Sequence, residues 1–502
     1  MNSSRRPSPT FPWWRLLTLF LAGLLTLPTL AAEPLRIGSK RFTEAYILAQ
    51  VVAQTAAPHA AVDVKAGLGN TAIVYEALRS GSIDLYPEYT GTIALEILKD
   101  PGATSLEAMR PALAKLGLGV DVPFGFNDGY ALAMREDRAA ALGIRKLSDL
   151  VRHPELKLGL SNEFIGRADG WPGLVKRYGL GQRPQGLDHG LAYDAVGGGQ
   201  VDVIDIYTTD AKIGHLGLRV LEDDAGHFPR YDAVLLYRLD VPQRFPQAWA
   251  ALQRLRGRID EAAMIRLNAR AELERVPFER IAADQLAGTQ GVASAGGFAS
   301  QLFGPDFLRL TMQHLGLVIA SVAAAVAVGV PLAVAVAPHA ALRGAVLGVT
   351  GVLQTVPSLA MLAVLISLLG RIGTAPALVA LTLYALLPIM RNTCTGLAEV
   401  PAGLKLAAQA LGLSPAQRLR HVELPLALPV LLAGVRTAAT ISVGTATIAA
   451  FIGAGGYGER IVTGLALNDK GLLLAGALPA ALLALAFEGG FALLERRLRR
   501  GR

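Results

Sequence analysis

Four tyrosines, a lysine and an arginine, spread over the first half of this 502-residue chain, are the residues whose types point to chemistry. Tyr89 stands in DLYPEYTGT, Tyr130 in GFNDGYAL, Tyr207 in IDIYTTD and Tyr231 in FPRYDAV; Lys40 stands in IGSKRFTE and Arg167 in NEFIGRADG. A trimethylammonium group has no N–H to donate, so a protein holds it against aromatic faces, at roughly 0.5–2 kcal/mol per ring. Several rings are needed, and tyrosines far apart in sequence meet that need if they converge. A carboxylate on the same solute requires cations and donors, which Lys40, Arg167 and the Thr92 hydroxyl supply. Asp128 is suited to face the ammonium end. The expectation is a pocket for a betaine-like zwitterion.

The elements that must position these residues read as alternating strands and helices. LRIGS, VDVKAG, IDLYPEY, YALAMR, LKLGLS and VDVIDIY are short and rich in β-formers. TEAYILAQVVAQ and TAIVYEALRS carry helical patterns between them, with Thr43 and Thr71 as expected N-caps. Such alternation argues for α/β lobes with helices flanking the sheets. Residues 250–287 read as mainly helical and 288–306 as a Gly/Ala/Ser-rich linker. GLG at 67–69 and GGG at 197–199 read as turns, and Tyr75, Tyr86 and Tyr193 as packing residues.

The chain is 52% hydrophobic and only 18% charged, and the excess is concentrated in its second half. Five runs there approach the roughly 20 residues that cross a bilayer: Leu315–Ala337, Gly344–Gly370, Ile372–Met390, Leu426–Ile452 and Gly471–Phe487. Gln354 and Pro357 interrupt the second, and Arg436, read as lying near a helix end, is the lone charge of the fourth. With the first half outside, the inner segments carry Arg343, Arg391, Lys405, Arg418, Arg420 and an arginine-rich tail, as the positive-inside rule requires. This accounts for a net charge of +8 without nucleic-acid binding. At the N-terminus Arg5, Arg6 and Arg15 precede the apolar run Leu16–Leu30 and then Ala31 and Ala32, the pattern of a signal sequence or short anchor over residues 1–32. The single cysteine, Cys394, excludes an intrachain disulfide and a cysteine-rich metal site.

IGSKRFTEAYIL, GLGNTAIVYEAL, IDLYPEYTGT, GFNDGYALAMR, VDVIDIYTTD and FPRYDAV together resemble the glycine betaine/choline-binding proteins of osmoprotectant ABC importers. The resemblance implies a two-lobed periplasmic-binding-protein fold, type II-like, with residues 33–127 and 232–300 in one lobe and 128–231 in the other. It also implies that Tyr89, Tyr130, Tyr207 and Tyr231 cage the ammonium, that Lys40 and Arg167 hold the carboxylate, and that Thr92 and Asp128 join them.

A second resemblance lies in LAAQALGLSPAQRLRHVELP. ABC importer permeases carry a cytoplasmic loop of pattern EAA, three residues, Gly, nine residues, Ile-x-Leu-Pro. Ala407, Ala408, Gly412, Val422, Leu424 and Pro425 match at that spacing, and Leu406 replaces the leading Glu. The physical reading is a helix, a glycine turn and a second helix that sit in a groove of an ATPase subunit. QTVPSLAMLAVL, LYALLPIMRNT and AATISVGTATIAAFIGAGGYG look like betaine/choline importer permeases. The fold class is therefore an α/β binding domain (33–287) followed by an all-α multi-span permease domain (307–495) and a basic cytoplasmic tail (496–502).

The function implied is inward transport of glycine betaine or a related quaternary ammonium compound such as choline, carnitine or proline betaine, from the periplasm across a bacterial inner membrane. No G-x-x-x-x-G-K-[ST] sequence occurs, so ATP is used by a separate subunit and this chain binds no cofactor or metal. One permease half per chain implies a second copy, hence a dimer embedded in lipid. No nucleophile–base pattern or H-E-x-x-H suggests an enzyme. The competing reading is a membrane-anchored solute sensor that moves nothing.

Overall fold

The computed structural model describes residues 33–289 and 297–500, with side chains through residue 497. The leader expected over 1–32, part of the expected linker and the last tail residues lie outside them.

Among the described residues ten strands form two five-stranded sheets. The first contains β1 (Leu35–Gly38), β2 (Val62–Lys65), β3 (Leu85–Tyr89), β4 (Leu118–Asp121) and β10 (Ala233–Arg238), in the order β2-β1-β3-β10-β4. The second contains β5 (Tyr130–Arg135), β6 (Leu158–Ser161), β7 (Gln185–Leu187), β8 (Val203–Tyr207) and β9 (Leu218–Val220), in the order β7-β6-β8-β5-β9. In each, three parallel strands are joined by an antiparallel strand that follows a crossing between lobes. The six runs read from sequence are strands; β4, β7, β9 and β10 are additional.

The two crossings, residues 122–129 and 221–232, pair with each other. Phe124 N–H donates to Ala233 O at 2.9 Å, Ala233 N–H to Phe126 O at 3.1 Å, and Asp128 N–H to Tyr231 O at 3.0 Å. A short two-stranded ribbon thus joins the lobes, and two of the expected site residues lie on it.

Helices cover the first sheet. α1 (Thr43–Ala56) follows β1, and α2 (Thr71–Arg79) follows β2. Neither threonine is a cap. Thr43 and Thr71 are the first helical residues, and the Asn70 side chain caps α2 by accepting from Ile73 N–H at 3.3 Å. Asn is among the best N-caps because its short carbonyl reaches an orphan N–H. Ile47, Leu48, Val51 and Val52 of α1 are buried against Met264 and Leu267 of α3 (Glu261–Glu272) and Ile281 of α4 (Phe278–Ala287). Each such side chain contributes about 1.5–3 kcal/mol.

The second half is helical: α5 (Phe307–Val336), α6 (Ala340–Thr355), α7 (Ser358–Leu369), α8 (Thr374–Glu399), α9 (Ala402–Ala410), α10 (Leu424–Ala446), α11 (Gly458–Ala466) and α12 (Lys470–Arg500). Among the described residues four helical stretches, Phe307–Val336, Thr374–Glu399, Pro415–Ile452 and Lys470–Arg497, are long and apolar enough to cross a membrane. The run expected as a second span folds as two helices, α6 and α7, bent by 102°; counted as one broken span, the pair makes five among the described residues. Pro357 lacks an N–H and forces the preceding residue out of the helical region; Val356 has φ −62° and ψ 127°.

Small residues let α10 approach α5 and α8: Ala438, Ala439 and Ala446 are fully enclosed. Arg436 is not near a helix end. It lies mid-way along α10 and pairs with Glu488 and Glu495 of α12, each at 3.4 Å. Buried Arg460 of α11 ties to Asp306 at 2.6 Å and to Leu302 O at 2.7 Å, fixing α11 against the start of α5.

The two halves touch. Ile372 N–H donates to Ser82 Oγ at 3.2 Å, and the Arg41 guanidinium lies 4.8 Å from the Phe451 ring centroid. An added Cβ on Gly190 would stand 2.8 Å from the carbonyl oxygens of Leu465 and Ala466, so the backbones meet closely there.

Candidate ligand site and family

Each expected site residue sits at the end of an element that points toward the cleft. Lys40 follows β1, Tyr89 ends β3, and Thr92 is in the helical turn after it. Tyr130 opens β5 and Tyr207 closes β8, and the two are direct cross-strand partners. Asp128 and Tyr231 lie on the inter-lobe ribbon, and Arg167 follows the short helix Asn162–Gly166.

These eight residues come together. Lys40, Tyr89, Thr92, Asp128, Tyr130, Tyr207 and Tyr231 line one cavity. Arg167 stands at its edge, its Nη2 donating to Thr92 Oγ1 at 3.3 Å and its Cζ 5.2 Å from the Tyr130 ring centroid. Ring centroids of Tyr130 lie 5.2 Å from Tyr207 and 5.6 Å from Tyr231. Burial raises the hydroxyl pKa of Tyr89, Tyr130 and Tyr207 well above the ordinary phenol value, so the rings stay neutral. The space they enclose is only about 20 Å³, room for a single water.

Two further residues line the same cavity, Phe42 and Glu163. Phe42 lies 5.0 Å from Tyr207 and 6.1 Å from Tyr89, ring to ring. Nothing in the IGSKRFTE motif marks it beyond its place beside Lys40.

Both expected cations already have carboxylate partners. Lys40 Nζ bonds Glu88 Oε1, and Arg167 grips Asp169 through Nε at 2.8 Å and Nη2 at 2.6 Å. Asp169 also accepts from the Tyr231 hydroxyl at 2.6 Å. Arg167 Nη1 is buried and makes no hydrogen bond among the described residues; its nearest ionic partner is Glu163 Oε1, at 3.7 Å. Burial opposes the charge on Arg167, but Tyr130, Asp169 and Glu163 around it raise its pKa. With Asp128 and Glu163 also on the wall, acidic groups match or exceed basic ones and favour a cation.

The six permease-loop residues form an elbow in the second half. Ala407 and Ala408 lie in α9, Gly412 in a left-handed turn (φ +75°), Val422 in the helical turn Leu419–Glu423, and Leu424 and Pro425 open α10. Leu404, Leu406 and Leu411 stand exposed on the same elbow, Leu411 at 79%.

The family described as the substrate binding domain of the ABC-type glycine betaine transport system matches residues 33–287. That described as the binding-protein-dependent transport system inner membrane component matches residues 325–500. The chain belongs to the betaine-type ABC importers. It carries their binding and permease parts in one polypeptide.

A glycine-betaine-binding protein of Pseudomonas aeruginosa is 37% identical over 290 residues, covering 54% of this importer and 93% of that relative. An ergothioneine transport permease/ergothioneine binding protein of Helicobacter pylori is 31% identical over 284 residues, 54% of this chain and 51% of that one. On the membrane side, the osmoprotectant import permease protein OsmW of Salmonella typhimurium is 46% identical over 183 residues, 36% of this chain and 85% of its own length. The importer is thus a multi-pass membrane protein that works with an ATPase and a small-molecule ligand.

Proposed function

We propose that this importer captures betaine-like quaternary ammonium solutes and passes them inward through its own membrane half. The observation that carries the ligand class is the convergence of Tyr89, Tyr130, Tyr207 and Tyr231, from both sheets and the inter-lobe ribbon, on one acid-flanked cavity. Neutral rings supply the ammonium's attraction. Arg167 Nη1, which makes no hydrogen bond among the described residues and has only Glu163 at 3.7 Å, supports a carboxylate at the other end, and hence glycine betaine, proline betaine or carnitine over choline.

Four proposals complete the assembly. The binding domain, residues 33–287, faces the periplasm of an inner membrane. A linker over 288–306 joins it to the permease, 307–495. Two copies of the chain make one channel. The exposed leucines of the α9 elbow dock in a groove of the separate ATPase, since a cluster of apolar side chains on a polar surface marks a partner site. ATP-driven closure of that subunit opens the channel to the docked receptor, and no covalent chemistry takes place in this chain. The sensor reading has no observation in its favour.

Purified chain reconstituted with its ATPase in vesicles tests this. ATP-dependent accumulation of labelled glycine betaine is the expected result. Absence of calorimetric binding to any quaternary ammonium compound would overturn the ligand class, and binding without accumulation would restore the sensor.

A further inference from the structure

Behind the aromatic cage lies a set of buried side chains that ring and cation contacts leave without a role. Glu44, in the first turn of α1, and Thr209, in the turn after β8, are both buried. The Thr209 hydroxyl stands 2.6 Å from Glu44 Oε2 and 2.8 Å from Asp128 Oδ1. Thr209 N–H donates to that same Asp128 oxygen at 3.2 Å. The Tyr89 hydroxyl donates to Glu44 Oε1 at 2.5 Å, and Asn268 Nδ2 lies 3.4 Å from Glu44 Oε2.

A threonine hydroxyl has one hydrogen to give. Two carboxylate oxygens at 2.6 and 2.8 Å cannot both accept a full, linear bond from it. If both acids were ionised, one would meet the hydroxyl oxygen lone pair to lone pair. Both short contacts are satisfied when one of the two carries a proton and donates it to Thr209 Oγ1.

We infer that Glu44 and Asp128 share one proton through Thr209, and that a permanently charged ammonium entering beside Asp128 expels it to solvent, one proton leaving per cation bound. The inference rests on the ligand class proposed above. It adds Glu44 and Thr209 as positioning residues that tie recognition to fixed positive charge. A neutral solute of the same shape cannot stabilise the doubly ionised pair, so it leaves the proton in place.

The neighbouring charges are already committed. Lys40 is paired with Glu88, and His189 is paired with Asp210 at 3.0 Å. Arg167 is held by Asp169, with Glu163 beside it. Beyond Asp210 stand Glu272 and Lys212. Lys40, His189 and Arg167 thus each already face a carboxylate other than Glu44 and Asp128. Burial, above all, raises Glu44 to about 7, against the hydrogen bonds from Thr209, Tyr89 and Asn268. Burial and the Glu44 and Asp210 charges hold Asp128 well above the usual carboxylate range.

The test is calorimetry of the full-length chain in lipid nanodiscs, titrated at about pH 6 with choline and with glycine betaine in two buffers of different ionisation enthalpy. The buffer dependence should report release of close to one proton. Affinity should rise by up to about tenfold per pH unit below pH 7 and level off above it. Glu44→Gln should abolish the release and flatten the pH profile, while Glu272→Gln, whose carboxyl burial also raises to about 7, should keep both. Identical heats in the two buffers with tight binding would overturn the inference without any variant. Loss of the release in Glu272→Gln rather than Glu44→Gln would overturn it too. Failure of every quaternary ammonium to bind would overturn it together with the proposed ligand class.

Discussion

Tyr130 and Tyr207 are direct partners across the β5–β8 pair, their ring centroids 5.2 Å apart at 55°. The cage wall in the second lobe is therefore set by sheet register. A one-residue slip would turn one ring to the opposite face, so pocket geometry and strand pairing stand or fall together.

Phe42 closes the cage from the first lobe, against both Tyr89 and Tyr207. Phe42→Ala should weaken glycine betaine binding about two- to thirty-fold, the range expected for one ring, and Phe42→Tyr should restore it. Tyr207→Ala should cost more, because its ring also supports Tyr130 and His189. Calorimetry on the full chain checks both.

Arg167 serves the fold as well as the ligand. Arg167→Ala leaves Asp169 buried without its bidentate partner, and breaking a buried pair from one side costs about 3–5 kcal/mol. Thermal unfolding of the binding domain should show that loss. In the fraction that remains folded, betaine affinity should fall much more than choline affinity. Equal losses would remove the carboxylate role.

Gly190 tests the contact between the halves. A valine there would drive its side chain into the backbone of Leu465 and Ala466. Glycine betaine binding should be unchanged while ATP-dependent uptake falls at least about tenfold. Full uptake by Gly190→Val would show that this contact is not used during transport.

His189 stacks on Tyr207, centroids 4.3 Å apart, and bonds Asp210. Burial opposes its charge, but the Asp210 charge and hydrogen bond outweigh burial and raise it to about 9. Because the folded value exceeds the ordinary one of 6.5, the stabilisation is full below pH 6.5 and is lost as pH rises through 9. The difference in melting temperature between the native chain and His189→Gln should therefore shrink steadily from pH 6.5 to above 9. A constant difference would show that the imidazole is not charged.

Much of this was legible in the sequence, because motifs at strand ends mark both a strand and the side chain it presents. Tyr89, Tyr130 and Tyr207 all sit at such ends. β7 is only three residues, QGL, too short to carry a periodicity, and β10, AVLLYR, begins inside the FPRYDAV motif, close after Tyr231. Both helix starts lie one residue from the expected place: at α2 Asn70 takes the cap ahead of Thr71, and at α1 the cap position is Phe42, which makes no side-chain cap. Phe42 and the Glu44–Thr209–Asp128 contacts are tertiary, since they join residues as far as 165 positions apart, and no local pattern encodes them. The broken second span was foreshadowed only by Pro357, whose effect depends on what packs around it.

Joining receptor and conduit in one polypeptide fixes their stoichiometry at synthesis. A freely diffusing receptor can be made in excess, so that loaded copies queue for each channel and displace spent ones. Here the spent copy occupies the berth and must refill where it stands. Throughput at low solute then tracks the on-rate of the resident receptors, and cells can raise it by making more of the whole machine.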